Sequence, residues 1–361
     1  MNATRCEDRG YLPIWKGAMD AAAWPARRRE LKALLERHCY GVMPAFRGKA
    51  EATLLGAEDE AFAGKAVWQR HELSIETPRG FYRLPVDLVI PKAVAHPPVV
   101  LHLAFRRALP DKYAPVEEII DKGFALVSVC YEDISPDSHD GNFSTGLCGH
   151  LVNVGPDGVR KATEPGRIGV WAWCASRILD WLSSVGEVDA AHTAVAGHSR
   201  LGKTALWAAA CDGRFWGAVS NCSGFGGAAC ARHGHGERVA DFIRAGSWDW
   251  FCENFKLDLG KEDDRAYDQH FLLALVAPRL LSVGSAERDA GADPAAEFLA
   301  SRAASSAWET LGCRGLVCPD RMPVPGDSFG EGNVHYHLRP GTHFFSRTDW
   351  NLHLDFLASK L

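Results

Sequence analysis

The sequence predicts an α/β protein with a mostly parallel sheet flanked by helices. Three observations carry that expectation. From Pro98 onward, short apolar runs alternate with helical stretches, the pattern of parallel strands joined by crossover helices. One run, Thr193 to Ala196, ends in Gly197-His198-Ser199-Arg200-Leu201-Gly202 and passes directly into a helix candidate, Leu201 to Ala210. A serine, an acidic residue and a histidine then follow in that order on loops behind successive strands.

Each element has a local reason. Ala26 to Tyr40 spaces Leu31, Leu34, Leu35 and Cys39 helically, and Gly41 and Pro44 stop it. From Ala50 to Pro91 the pattern is strand-like. His71 to Thr77, a Pro78-Arg79-Gly80 turn and Phe81 to Ile90 read as a hairpin. Pro98 to Leu103 and Phe124 to Val129 are apolar strand candidates with a helix, Val116 to Lys122, between them. Arg167 to Leu182 is a long apolar helix. Further strands are expected at Gly217 to Asn221, Arg279 to Gly284 and Asn333 to Leu338. Helices are expected at Pro294 to Leu311 and Arg347 to Leu361. The glycine-rich piece Ser223-Gly224-Phe225-Gly226-Gly227 opens no βαβ unit, so no nucleotide cofactor is expected.

Composition narrows the partners. The 361 residues are 47% apolar, enough for a large core. A net charge of −5 with both signs dispersed gives no electrostatic reason to expect nucleic acid or an anionic membrane. No apolar run approaches the length of a membrane span. Met1 to Gly10 lacks the apolar core of a signal peptide. The eleven cysteines show no paired zinc spacing, and several (Cys130, Cys174, Cys211) sit inside apolar runs. A reduced, cytoplasmic setting is the expectation, unless a leader has been removed.

The chemistry centres on Ser199. Strand, sharp turn and helix make a nucleophile elbow, which presents a serine hydroxyl to the positive end of the following helix. The glycine after the serine comes three places on rather than two. A serine needs a histidine to accept its proton and a carboxylate to orient that histidine. Ser285-Ala286-Glu287-Arg288-Asp289 follows one strand candidate, and Arg339-Pro340-Gly341-Thr342-His343 follows the next. His343 is the candidate base, weighed against a solvated loop residue. His335 and His337 alternate on a strand, but with no third ligand evident no metal is expected. His233 and His235 read as solvated and His270 as structural.

The string Gly197-His198-Ser199-Arg200-Leu201-Gly202-Lys203 closely resembles the Gly-Cys/His-Ser-Arg-x-Gly-Lys signature of the glucuronoyl esterases, carbohydrate esterase family 15. The likeness runs along nearly the whole chain. It includes Tyr40-Gly41-Val42-Met43-Pro44, Trp171-Ala172-Trp173, Gly236-Glu237, Trp250-Phe251, Asp268-Gln269-His270 and Arg339-Pro340-Gly341-Thr342-His343. It implies a single α/β-hydrolase domain over residues 1–361, with 1–95 an N-terminal helix and hairpin extension and 96–361 the catalytic core. It also implies a cofactor-free serine esterase acting on a small-molecule or oligosaccharide uronate ester, as in lignin–carbohydrate esters. Ser199 maps to the nucleophile, His343 to the base and Arg200 to an oxyanion-stabilising arginine. Lys203 and Glu237 map to sugar-binding positions, and Trp250 is carried over as a substrate-binding residue.

Two departures stand out against the resemblance. Many relatives place a carboxylate immediately before Ser-Gly, where this chain has Cys222, so the acid role falls to Asp289 with Glu287 as second choice. Relatives often carry a tryptophan two residues after that aspartate, where this chain has Gly291; Trp248 is a candidate to refill the space. Arg106-Arg107 either lines the site or is solvated. An esterase for acetyl or small alkyl esters of imported sugars, and a non-catalytic carbohydrate-binding relative, are the alternative readings.

Overall fold

The computed structural model describes residues 10–17, 20–46 and 48–361; residues 1–9, read above for a leader, lie outside them. Among the described residues ten strands form one sheet. These are β1 (Ala50–Ala61), β2 (Ala66–Thr77), β3 (Gly80–Pro91), β4 (Pro98–Ala104), β5 (Ala125–Cys130), β6 (Asp189–His198), β7 (Gly217–Asn221), β8 (Leu280–Ala286), β9 (Ser328–Phe329) and β10 (Val334–Arg339). Their spatial order is β1-β2-β3-β5-β4-β6-β7-β8-β10-β9. Neighbours from β5 through β10 pair in parallel, while β1 to β3 form an antiparallel meander and β9 an antiparallel edge.

Sheet order explains where a site forms. The chain goes from β4 outward to β5, then returns past β4 to β6 and continues through β7, β8 and β10. Such a reversal opens a crevice at the carboxyl ends of the central strands. Ser199 follows β6 directly at that end, and Asp289 and His343 follow β8 and β10.

Continuous apolar runs are what a sheet covered on both faces requires. Val99, Leu101 and Leu103 of β4 pack into one core with Val127 and Val195. Val100 packs into the other, with Leu126, Ala194 and Ala196. Successive side chains thus leave opposite faces of each strand. The helix Arg167–Leu182 is buried on nearly every side, with only Asp180 partly open.

Two expectations needed adjusting. The first helix keeps α geometry only over Trp24–Leu35 and then widens into a π turn, Glu36–Tyr40. The wider turn accompanies a docking contact: the Tyr40 ring stacks on Trp207 with centroids 4.4 Å apart, and its hydroxyl donates to Gly226 O at 2.9 Å. The hairpin, in turn, gains a third strand and joins the main sheet through β3 and β5, with Asp87 opposite Ser128. Residues 50–91 therefore extend the same hydrogen-bonded sheet.

Asp349 secures the last part of the scaffold. It sits in the first turn of the helix Arg347–Ala358 and is fully buried. It accepts from Arg339 Nε at 2.6 Å, His337 Nε2 at 3.0 Å and Ser346 N and Oγ at 2.7 Å each. These contacts pin both ends of the loop that carries His343. Burial pushes the Asp349 carboxyl up, but His337, the Ser346 hydroxyl and the Arg339 charge outweigh it, so its pKa lies below the ordinary value. A carboxyl depressed in the folded state adds stability above its unfolded pKa of about 3.9, and that stability is lost as pH falls through the folded value. Asp349→Asn should cost about 3 kcal/mol near neutral pH by leaving Arg339 buried and uncompensated. The gap between the melting temperatures of variant and parent should hold from pH 7 to about pH 4 and narrow below that, as the parent's carboxylate protonates.

Candidate active site

The elbow is built by steric necessity. Ser199 has φ 57° and ψ −127°, a conformation few side-chain-bearing residues adopt and one concentrated at functional sites. The turn is so tight that a Cβ on Gly197 would lie 2.2 Å from Leu201 O. Gly202 packs nearly as closely, its Cβ position 3.1 Å from both Ser220 Oγ and Ser223 Cβ. The three-residue offset from Ser199 therefore places the second glycine under the first turn of the helix Arg200–Cys211. The leading N–H groups of that helix have no intrahelical partners and carry the positive end of its dipole. Arg200 N–H heads it, next to Ser199, an environment that favours negative charge.

Ser199, Lys203, Glu237, Asp289 and His343 line one cleft of about 160 Å³, together with Cys222, Ser223, Gly224, Gly291 and Ala292. His343 Nδ1 donates to Asp289 Oδ2 at 2.6 Å. The imidazole is 45% exposed and the carboxylate 8%, so one partner is open to the cleft while the other is buried. Burial raises the Asp289 pKa, yet the His343 hydrogen bond and charge, the Ala292 N–H and the Cys222 thiol together bring it below the ordinary value. Glu287 is exposed, and its backbone N–H bonds Arg339 O, so the structure pairs His343 with Asp289. Ser199 and His343 share the cleft without a direct hydrogen bond, a looseness common before substrate binds.

The family model described as "Glucuronyl esterase, fungi" matches residues 115–312. A carbohydrate esterase of an unknown prokaryotic organism is 32% identical over 93% of this chain and 85% of its own. The chain belongs to the glucuronoyl esterase family. A solved glucuronoyl esterase from Solibacter usitatus is 32% identical, with a TM-score of 0.84 over 97% of this chain and 96% of that one. The 4-O-methyl-glucuronoyl methylesterase of Podospora anserina is 26% identical over 73% of this chain, which spans about half (51%) of that relative's length.

In this member of the glucuronoyl esterase family, Arg200 and Trp250 form a separate group that does not line the cleft. Arg200 Nη1 pairs with Asp137, whose other oxygen accepts from Trp250 Nε1 at 2.8 Å. The guanidinium carbon lies 4.5 Å from the Trp250 ring centroid. Arg200 Nε is buried without a hydrogen-bond partner. The arginine read as a charge aimed at the oxyanion is thus tethered through one end to a buried carboxylate.

Lys203, which in isolation reads as a solvated charge, is 2% exposed. Its ammonium donates to Ser223 O and lies 3.9 Å from Glu237. Burial lowers its pKa, against the opposing pull of Glu237 and Glu297. Trp248 does not refill the space at Gly291. It packs against Gly141, and the Lys256 ammonium lies 3.2 Å from its ring centroid. A Cβ on Gly291 would meet nothing closer than Glu237 Cγ at 3.9 Å, so this wall of the cleft stands open. Arg107 is paired with Asp133 and its side chain is 72% exposed.

Three supporting residues were not singled out from the sequence. Asp137 holds Arg200 from a loop that the buried Arg167 secures through Ser138 Oγ at 2.9 Å and Asn142 O at 2.8 Å. Glu297 is fully buried and accepts Ser223 N at 2.8 Å, Gly224 N at 2.9 Å and Ser285 Oγ at 2.5 Å, fixing the cleft floor. Burial raises its pKa to about 7. His198 lies against His343 with ring centroids 4.4 Å apart; burial, then the neighbouring His343, lowers its pKa to about 3 and keeps it neutral. Only His198 had a sequence signal, its place in the elbow.

Three groups among the described residues bring metal-ligating atoms within 4.8 Å of one another: His335, His337 and His353; Cys222, Asp289 and His343; and Asp137, His139 and Asp249. The first supplies the third histidine that sequence spacing did not reveal. Ser282 Oγ lies 2.6 Å from Nδ1 of both His335 and His353, so those imidazoles already have partners. His270 is buried with Nε2 bonded to Leu12 O at 2.7 Å, whereas His233 and His235 are exposed.

Proposed function

We propose that this chain hydrolyses the ester joining the carboxyl of glucuronic acid, with or without a 4-O-methyl group, to an alcohol, by acyl transfer through Ser199. The observation that carries the proposal is the cleft holding Ser199 and the His343–Asp289 pair within a glucuronoyl esterase family chain. His343 takes the Ser199 proton as the hydroxyl attacks the ester carbonyl. Asp289 holds Nδ1–H, leaving Nε2 to accept. The oxyanion forms at the N-terminus of the helix Arg200–Cys211, with the Arg200 N–H as donor. His343 then protonates the departing alcohol and activates a water to release the uronate. Lys203 and Glu237 line the same cleft, which supports a role for them in bonding sugar hydroxyls.

The substrate's acyl group is an ester and carries no charge, so binding rests on hydroxyl contacts rather than ion pairing. The open wall at Gly291 supports a second reading, an esterase of broader acyl choice that also takes acetylated sugars. Rates on methyl and benzyl glucuronate, set beside rates on an acetylated sugar, separate the two. Faster turnover of the glucuronates is expected. Comparable rates on the glucuronates and the acetylated sugar would move the assignment to the second reading.

A further inference from the structure

We propose that Cys222, Asp289 and His343 form a binding site for a thiol-seeking divalent cation such as zinc, and that filling it switches hydrolysis off. The proposal rests on the reading of His343 as base and concerns regulation of that same site. Thiolate, carboxylate and imidazole are the ordinary protein ligands of zinc. Here one ligand atom from each lies within 4.8 Å of the other two.

The backbone creates this arrangement. Cys222 directly follows β7 with φ 47°, an unusual value for a residue with a Cβ, and lines the cleft with its sulfur within 4.8 Å of an Asp289 oxygen. Zinc sits about 2.0–2.3 Å from such ligands, which asks for ligand atoms roughly 3.5 Å apart. Closing that difference takes a side-chain rotation of the half-exposed His343 that gives up its direct hydrogen bond to Asp289 in exchange for the shared cation, while Cys222 and Asp289 are buried. The cleft side leaves room for a water as fourth ligand.

Electrostatics favours a cation here more than a thiolate alone. Burial and the neighbouring Glu297, Asp349 and Asp289 carboxylates push the Cys222 thiol well above its ordinary pKa, with Arg339 the opposing charge. A dication reverses that balance because it neutralises the thiolate and the carboxylates together. As the metal–sulfur bond forms, the thiol proton leaves to solvent. If the metal binds through Nδ1, the ring's single proton moves to Nε2 and no lone pair remains for the Ser199 proton; if it binds through Nε2, that lone pair is spent on the metal. Either outcome stops acyl transfer without touching the nucleophile.

The test compares chelator-treated parent, Cys222→Ser and Ser199→Ala proteins. With zinc chloride, the parent should lose hydrolysis and recover it on adding EDTA. Cys222→Ser, normalised to its own rate, should need at least about tenfold more zinc, the scale on which metal affinity responds to lost ligand-sphere contacts. Cadmium chloride should give a thiolate-to-metal ultraviolet band in the parent and in Ser199→Ala that is diminished in Cys222→Ser. That band is independent of turnover, so a chain that binds cadmium at Cys222 yet hydrolyses no ester would overturn the catalytic reading alone. Should Cys222→Ser fold poorly, His343→Gln should lose the zinc-induced rise in melting temperature. Equal zinc sensitivity of parent and Cys222→Ser, or an unchanged cadmium band, would overturn the proposal.

Discussion

Replacing Ser199 with alanine is expected to lower kcat on methyl glucuronate by a factor on the order of 10⁶, the scale on which removing a serine nucleophile acts. Hydrolysis through the triad requires an oxygen that forms and breaks a bond with the acyl carbon, and no neighbouring side chain in the cleft can replace it. Lys203 donates to Ser223 O, and Cys222 is buried with its thiol donating to Phe344 O. The melting temperature should hardly move, because alanine inherits the same strained turn and Ser199 is only half-buried. Labelling by a fluorophosphonate probe, expected in the parent, should disappear. Labelling that persists in Ser199→Ala would place the nucleophile elsewhere.

The second large effect belongs to Asp289. Asp289→Asn should cost roughly 10⁴-fold in kcat by reversing one hydrogen bond. The carboxylate accepts from His343 Nδ1 at 2.6 Å, which leaves Nε2 unprotonated. An asparagine amide can donate to Nδ1 instead, which moves the proton to Nε2 and removes the acceptor Ser199 needs. Because the Asp289 pKa lies below the ordinary carboxyl value, the parent keeps the charge throughout the neutral range. Kinetics of Asp289→Asn beside Glu287→Gln decides between the two acids. Collapse in the first and near-parental rates in the second are expected; the opposite pattern would reassign the acid.

Much of this was legible locally. Apolar runs placed the parallel strands within a few residues because a strand buried on both faces must be continuously apolar. Gly197 and Gly202 announced the elbow because no side chain fits where they stand. The order serine, acid, histidine behind successive strands followed from chain direction alone. Lys203 was harder, since a lysine one turn beyond a serine on a helix is ordinarily solvated, and its burial depends on the loop 222–224 folding over it. Trp248 was drawn away from Gly291 by Lys256 and Gly141, neither of which its own neighbourhood in the chain reveals.

Residue order and spacing alone established a parallel α/β scaffold, a serine on a strained turn, and a family likeness strong enough to name the reaction. Pairing Asp289 rather than Glu287 with His343, tying Arg200 to Asp137, setting Cys222 beside the triad and leaving the Gly291 wall open emerged only in three dimensions. Backbone geometry repeats every two or 3.6 residues and so leaves a periodic trace in the chain. Contacts such as Arg200 with Asp137 join positions 63 residues apart, and what brings them together is packing, which no local period records.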